Sequence, residues 1–199
     1  MNTDTLVAAS LFALASYITP GPNNTMILTS GVRFGLRRSM PHLFGICLGF
    51  GFMLVAVGLG LHTLLKNSPT LLLVMRLTGA AWLLWLAFQL AMSKASLDTV
   101  AGSERPMTFL GASAFQWINP KAWVMAVTAM STYLPPDASL IATVQLAAVQ
   151  TAVGSPCVLV WAAFGSGMRR WLQNPTRLRI FNITMALALV ASLYPLLQH

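Results

Sequence analysis

Two short tracts carry the residue types on which ligand chemistry in this chain could rest. The first is Thr19-Pro20-Gly21-Pro22-Asn23-Asn24 and the second is Asn119-Pro120-Lys121, both in the middle of long apolar stretches. Pro20 and Pro22 supply no N–H, so the carbonyls of Ser16 and Ile18 lose their usual helical partners. In hydrocarbon such groups must be satisfied by other protein groups or by a wet cavity. Thr19 is expected to act as an N-cap, with Pro20 as the first residue of a new half-helix. The positive end of that half-helix suits a carboxylate. In the second tract Asn119 reads as the N-cap and Pro120 as the first helical residue. Lys121 then lies at a depth where charge costs about 3 kcal/mol or more. It should face the protein interior, bonded to carbonyls freed at the first break or exposed to a substrate. Each tract also has a structural reading: a proline kink for the first, and a lysine that locks two broken helices together for the second.

Three further residues join the candidate set. Gln116 lies about a turn before Lys121 and could share its cavity. Arg76 lies about two turns into a helix, where it either binds a carboxylate or snorkels outward. Asn182 is its polar counterpart late in the chain, a candidate for which a helix–helix hydrogen bond is the preferred explanation. His42 and His62 fall near helix ends and read as interfacial. No metal constellation, paired intramembrane carboxylates, phosphate-cradling glycine loop or nucleophile elbow is present. No cofactor, metal or catalytic residue is expected, and the chain does not read as an enzyme.

The elements that position these residues follow from composition. Of 199 residues, 56% are hydrophobic and 8% charged, with a mean hydropathy of +0.70. Soluble domains carry roughly 25% charged residues. No Asp, Glu, Lys or Arg occurs between Asp4 and Arg33, Arg38 and Lys66, Asp137 and Arg169, or after Arg179. Each gap accommodates a membrane-crossing helix of about 20 residues. Two more apolar stretches are interrupted only by Arg76 and Lys121. Six helices are predicted, at about 5–30, 39–65, 68–92, 107–134, 138–168 and 177–198. The expected fold is an all-α membrane protein, a single transmembrane domain over residues 1–199. The N-terminal helix lacks a basic leader region and is expected to be retained.

The halves of the chain resemble one another. Thr19-Pro20 in helix 1 matches Asn119-Pro120 in helix 4, and Pro69-Thr70 at the start of helix 3 matches Pro175-Thr176 at the start of helix 6. Three helices per half give inverted repeats, about 1–95 and 105–199, with helices 1 and 4 broken near the midplane. Inverted repeats are common in transporters, with the site at the repeat interface. Loops 1–2, 3–4 and 5–6 hold Arg33, Arg37, Arg38, Lys94, Arg105, Arg169, Arg170, Arg177 and Arg179, nine of the twelve Lys and Arg residues. The positive-inside rule makes those loops cytoplasmic and puts both termini outside. The net charge of +8 therefore reflects membrane orientation, not nucleic-acid binding. Two cysteines, Cys47 and Cys157, give no disulfide framework. Gly45-x-x-x-Gly49 marks close packing inside the bundle or, alternatively, a homodimer face. Trp171, among basic residues, reads as an interface anchor.

These residues together resemble the lysine exporter/homoserine-threonine resistance superfamily of bacterial amino-acid exporters. Thr19-Pro20-Gly21-Pro22-Asn23, followed by Gly31, Gly35 and the Gly45/Gly49 face, is similar to its N-terminal signature. Asn119-Pro120-Lys121-Ala122 is similar to its second, and Arg76-x-x-Gly79-Ala80-Ala81 to its third-helix pattern. Asn23-Asn24 and the run Thr128–Pro135 are closest to cysteine/O-acetylserine exporters. Helix 6 departs from the family in lacking glycine, and Trp82 stands where tyrosine is common. The resemblance implies a multi-pass protein of the bacterial inner membrane that exports small amino acids or their derivatives, with protons as the coupling ion. Two ways of coupling are open: Lys121 alternates between proton and substrate, or the gradient acts through membrane potential or substrate charge. The competing function is a passive channel or a membrane scaffold without coupled transport.

Overall fold

The computed structural model describes residues 2–61, 68–93, 105–135 and 137–194. The side chains of residues 69, 71, 72 and 76 lie outside the description. So do His62, Lys66, Lys94, Asp98 and Glu104, and the last residues of predicted helices 2 and 6. Among the described residues every regular element is helical.

The chain opens with α1 (Thr3–Ile18) and α2 (Pro22–Phe34), two apolar helices bent by 57° across a short break. Gly35, with φ +77°, turns the chain into α3 (Leu36–Ala56). That helix ends in a widened turn, Val57–Leu61, closed by Gly60 at φ +96°. α4 (Pro69–Met92) starts with proline at its first position, where a missing N–H costs nothing. α5 (Phe109–Phe115) runs through a tight turn, Gln116–Ile118, to a break at Asn119 and then α6 (Pro120–Tyr133). α7 (Leu140–Met168) is the longest helix. The turn Trp171–Gln173 leads to α8 (Pro175–Ala191), where Asn174 Oδ1 accepts from the N–H groups of Thr176 and Arg177. Each half of the chain thus runs through a proline-broken pair, a long helix and a proline-opened helix.

Packing centres on α7, which α1, α2 and α3 all contact. Glycines set these distances. A Cβ on Gly31 would strike the Ala162 carbonyl, and one on Gly165 would strike the Leu28 carbonyl. α2 and α7 therefore cross backbone to backbone. Gly49 does the same for α3 and α5, since a Cβ there would lie 2.6 Å from Ser113 Cα. The Gly45/Gly49 stripe is thus occupied within the chain, by α5. Small residues at crossings are the usual device where lipid supplies no hydrophobic drive between helices. Buried Gln150 adds a polar tie, its Nε2 donating to the Ala9 carbonyl at 3.1 Å.

The exterior is apolar. Phe52, Phe88, Leu110, Ile141, Phe164 and Leu187 are all exposed, a surface that water would not tolerate and acyl chains would. Residues Leu36–Leu61, Leu73–Met92 and Leu140–Met168 form three helices long and apolar enough to cross a membrane. The bent pair α1–α2 makes a fourth if it is counted as one span. Among the described residues α8, at 17, and α5 and α6 taken singly, at 7 and 14, are shorter.

Candidate functional site

The first break differs in register from the expectation. α2 begins at Pro22, with Gly21 as its N-cap, and not at Pro20. Thr19 instead closes α1: its N–H bonds the Ala15 carbonyl, and its hydroxyl donates to the Ser16 carbonyl at 2.9 Å. Two prolines one residue apart explain the shift. Pro22 restricts Gly21 to extended backbone, so the helix restarts only at the second ring. Asn24, the last residue of the tract, reaches back from α2. Its Nδ2 donates to the carbonyls of Tyr17 at 2.7 Å and Thr19 at 2.8 Å. The break is thereby sewn to its own following helix.

The second break follows the expected capping. Asn119 caps α6, its Oδ1 accepting from the Lys121 N–H at 3.1 Å, and Pro120 takes the first helical position. Trp123 Nε1 donates to the Trp117 carbonyl across the break at 2.8 Å.

Lys121 joins the two. Its Nζ donates to the Thr19 carbonyl at 2.7 Å, the Thr19 hydroxyl at 2.8 Å and the Pro20 carbonyl at 3.3 Å. An ammonium has three N–H groups, and here three acceptors surround it. The carbonyls it meets are those of Thr19 and Pro20, not the Ser16 and Ile18 carbonyls that the proline argument singled out. Gly21 gives the lysine its passage. Its φ of 179° is extended backbone open to any residue, so the requirement is spatial. A Cβ at Gly21 would fall 2.8 Å from Lys121 Cδ and 3.2 Å from Nζ.

A second bridge ties the breaks together. Asn23 Nδ2 donates to Gln116 Oε1 at 2.8 Å, and Gln116 Nε2 returns a bond to Asn23 Oδ1 at 3.2 Å. Gln116 also donates to the Ala112 carbonyl at 2.9 Å and is fully buried. Lys121, Gly21, Asn23, Asn24 and Asn119 line one cavity with Tyr17 and Phe50. It holds about 30 Å³, room for one or two waters. The Tyr17 hydroxyl is buried and has no hydrogen-bond partner among the described residues. Tyr17 escaped the sequence reading because a tyrosine in an apolar helix looks like packing. Its position two residues before the Thr19-Pro20 break was the available signal.

Of the twelve candidates, Thr19, Pro20, Gly21, Asn23, Asn24, Gln116, Asn119 and Lys121 come together around this cavity, with Pro22 and Pro120 opening the helices that present them. Asn182 does not join them. It is buried on α8, which packs on α4, and its Nδ2 lacks a partner among the described residues. Arg76 lies on the second turn of α4, with its side chain outside the description. His42 is buried, 2% exposed, within α3. Trp171 is exposed, with the Arg177 guanidinium 5.1 Å from its ring centre. Cys47 and Cys157 are buried free thiols.

Comparison with known proteins assigns the class. The LysE type translocator family matches residues 14–192, and the chain belongs to that family. It is 34% identical over 170 residues to the cysteine/O-acetylserine efflux protein of Klebsiella pneumoniae subsp. pneumoniae, covering 84% of this chain and 86% of the relative. It is 32% identical over 191 residues to the cysteine/O-acetylserine efflux protein of Escherichia coli K12, covering 94% and 95%. No solved structure matches the chain. The protein is accordingly a multi-pass membrane transporter of the efflux type and not an enzyme.

Proposed function

We propose that the chain exports a small amino acid or derivative, with cysteine and O-acetylserine as the first substrates to test, across the bacterial inner membrane. In this reading all six helical segments cross the bilayer as two inverted three-helix repeats, basic loops inside and both termini outside. The site is the midplane cavity, and one repeat rocks against the other to expose it alternately. The substrates for which its relatives are named support the substrate class. One observation supports the location above all others: the Lys121 ammonium from one break is held by the Thr19 and Pro20 carbonyls of the other.

A zwitterion can replace that pairing atom for atom. Its carboxylate takes the Lys121 ammonium, and its own ammonium takes the carbonyls that Lys121 leaves. Both halves of the exchange keep every charge and every carbonyl bonded, which a low-dielectric site demands. At about 30 Å³ the cavity is too small for an amino acid while Lys121 occupies it. Loading therefore couples to withdrawal of the lysine from Thr19, and that withdrawal frees the two broken helices to separate. Protons supply the drive in this reading, with Lys121 alternating between proton and substrate.

The test is uptake of labelled cysteine, O-acetylserine, threonine, homoserine, lysine and leucine into inside-out vesicles, with and without a pH gradient. Gradient-dependent accumulation of one of the first two is expected. Flux that only equilibrates would identify a passive channel, and wild-type expression without flux of any of them would point to a scaffold. A Lys121→Gln protein that still accumulated substrate on a pH gradient would remove Lys121 as the proton carrier.

A further inference from the structure

Every α-amino acid carries the same ammonium and carboxylate, so an exchange with Lys121 cannot tell one from another. Discrimination falls to the surface that the ligand's side chain touches. The midplane cavity has a second wall of unlike chemistry. Asn23, Asn24, Asn119 and Lys121 stand at the two helix breaks, whereas Ile46, Phe50, Met125 and Val158 come from helical turns of α3, α6 and α7. Ile46 and Phe50 lie one turn apart on α3 and so share a face. Met125 lies one turn beyond Lys121 on α6. Three of these side chains are firmly held: Ile46 and Val158 are 1% exposed and Phe50 3%. Phe50 is braced by Tyr17, whose ring meets it edge-on at 5.6 Å. Gly154 leaves room for that ring, since a Cβ there would strike Tyr17 Cζ. Met125 is half-buried and unbranched, an adaptable end to an otherwise fixed surface.

We infer that this wall is the side-chain subsite of the exporter, and that it admits uncharged side chains and turns away charged and aromatic ones. The inference rests on the export reading and adds the specificity that the lysine exchange lacks. A charged side chain would have to shed its water against Ile46, Phe50, Met125 and Val158, none of which offers it a hydrogen bond in return. Bulk is limited by the room available, the cavity of about 30 Å³ together with the space that the withdrawing Lys121 stem vacates. An aromatic ring there would press on Phe50 and Met125, and an already packed site resists added volume.

The experiment measures uptake of labelled O-acetylserine into inside-out vesicles against unlabelled alanine, phenylalanine, lysine or aspartate, with an inhibition constant for each. In the wild-type protein alanine is expected to compete, and phenylalanine, lysine and aspartate to be weaker by about 100-fold or more. Met125→Ala enlarges the subsite at its half-buried position and should improve phenylalanine about tenfold relative to alanine, while lysine and aspartate stay excluded. Phe50→Leu, which keeps the wall apolar, should act in the same direction. The ratio of inhibition constants reports the subsite alone, because a loss of folded protein lowers the rate and leaves the ratio unchanged. Lysine or aspartate competing as well as alanine in the wild-type protein would overturn the subsite, as would an unchanged phenylalanine ratio in a variant that transports. If neither variant transports, the wild-type constants decide by the same criterion. Those results leave the midplane reading standing, which fails instead if Lys121→Gln transports normally. A wild-type protein that takes up no O-acetylserine would strike the export reading, and the subsite with it.

Discussion

The two helix breaks are built from similar residues yet do opposite things. At the second, Asn119 caps its own helix locally, two residues from the lysine N–H it serves. The Lys121 side chain projects away from it as a donor. At the first, Gly21 caps α2 without any side-chain bond. Its surplus is a pair of carbonyls, and donors from elsewhere must satisfy them: Asn24 for Thr19, and Lys121 for both Thr19 and Pro20. One break is an acceptor and the other a donor. Two such breaks of one kind would repel or starve each other, whereas this pair satisfies itself, and in the proposed export reading it opens for a ligand that carries both functions.

Replacing the donor tests that contrast most severely. Lys121→Ala leaves the Thr19 and Pro20 carbonyls without their charged partner, a loss of about 3 kcal/mol. Accumulation in inside-out vesicles should fall about 100-fold. A wild-type rate would show that the breaks do not cooperate. Next in size is Gly21→Ala, which overpacks the lysine stem at a cost of about 1–3 kcal/mol. Transport should drop roughly tenfold. In a Lys121→Ala background the same change should matter by no more than about twofold, because the clash is gone; a full additional loss there would mean that Gly21 serves its own backbone instead.

Removing the local cap is milder. Asn119→Ala should cost about 1 kcal/mol of stability, read as a lower melting temperature in detergent, with Asn119→Ser restoring most of it. If Ser rescues nothing, the Asn119 side chain serves something other than the Lys121 N–H. The smallest effect belongs to the amide bridge. A double-mutant cycle of Asn23→Ala and Gln116→Ala should give a coupling of about 0.6 kcal/mol, typical of hydrogen bonds between membrane helices. Strict additivity would break the claim that the halves are tied at this second point.

Much of this architecture could be read before any coordinates. The charge-free gaps located the helices, and Pro69, Pro120 and Pro175 marked helix starts that the structure keeps. Asn119 was legible as a cap because a cap is satisfied within three residues. The restart of α2 at Pro22 was misplaced by two residues, since either proline suits a first helical turn and only the geometry of the chain around Thr19 selects one. For His42 the sequence offered only its distance from the helix end, and that helical phase turns it inward emerges from the packing.

The sequence by itself determined that the protein lives in a membrane, that two apolar helices must be interrupted, and that a lysine is carried into the interior. Those conclusions follow from local rules: proline removes a donor, and charge is costly in hydrocarbon. Only the tertiary structure decided which acceptors that lysine meets, that Asn23 finds Gln116 across 93 positions, and that Gly21 is needed for room and not for conformation. Pairings between distant segments depend on how α2, α3 and α7 cross. Those crossings are fixed by the summed packing of many small contacts, which no single stretch of chain contains.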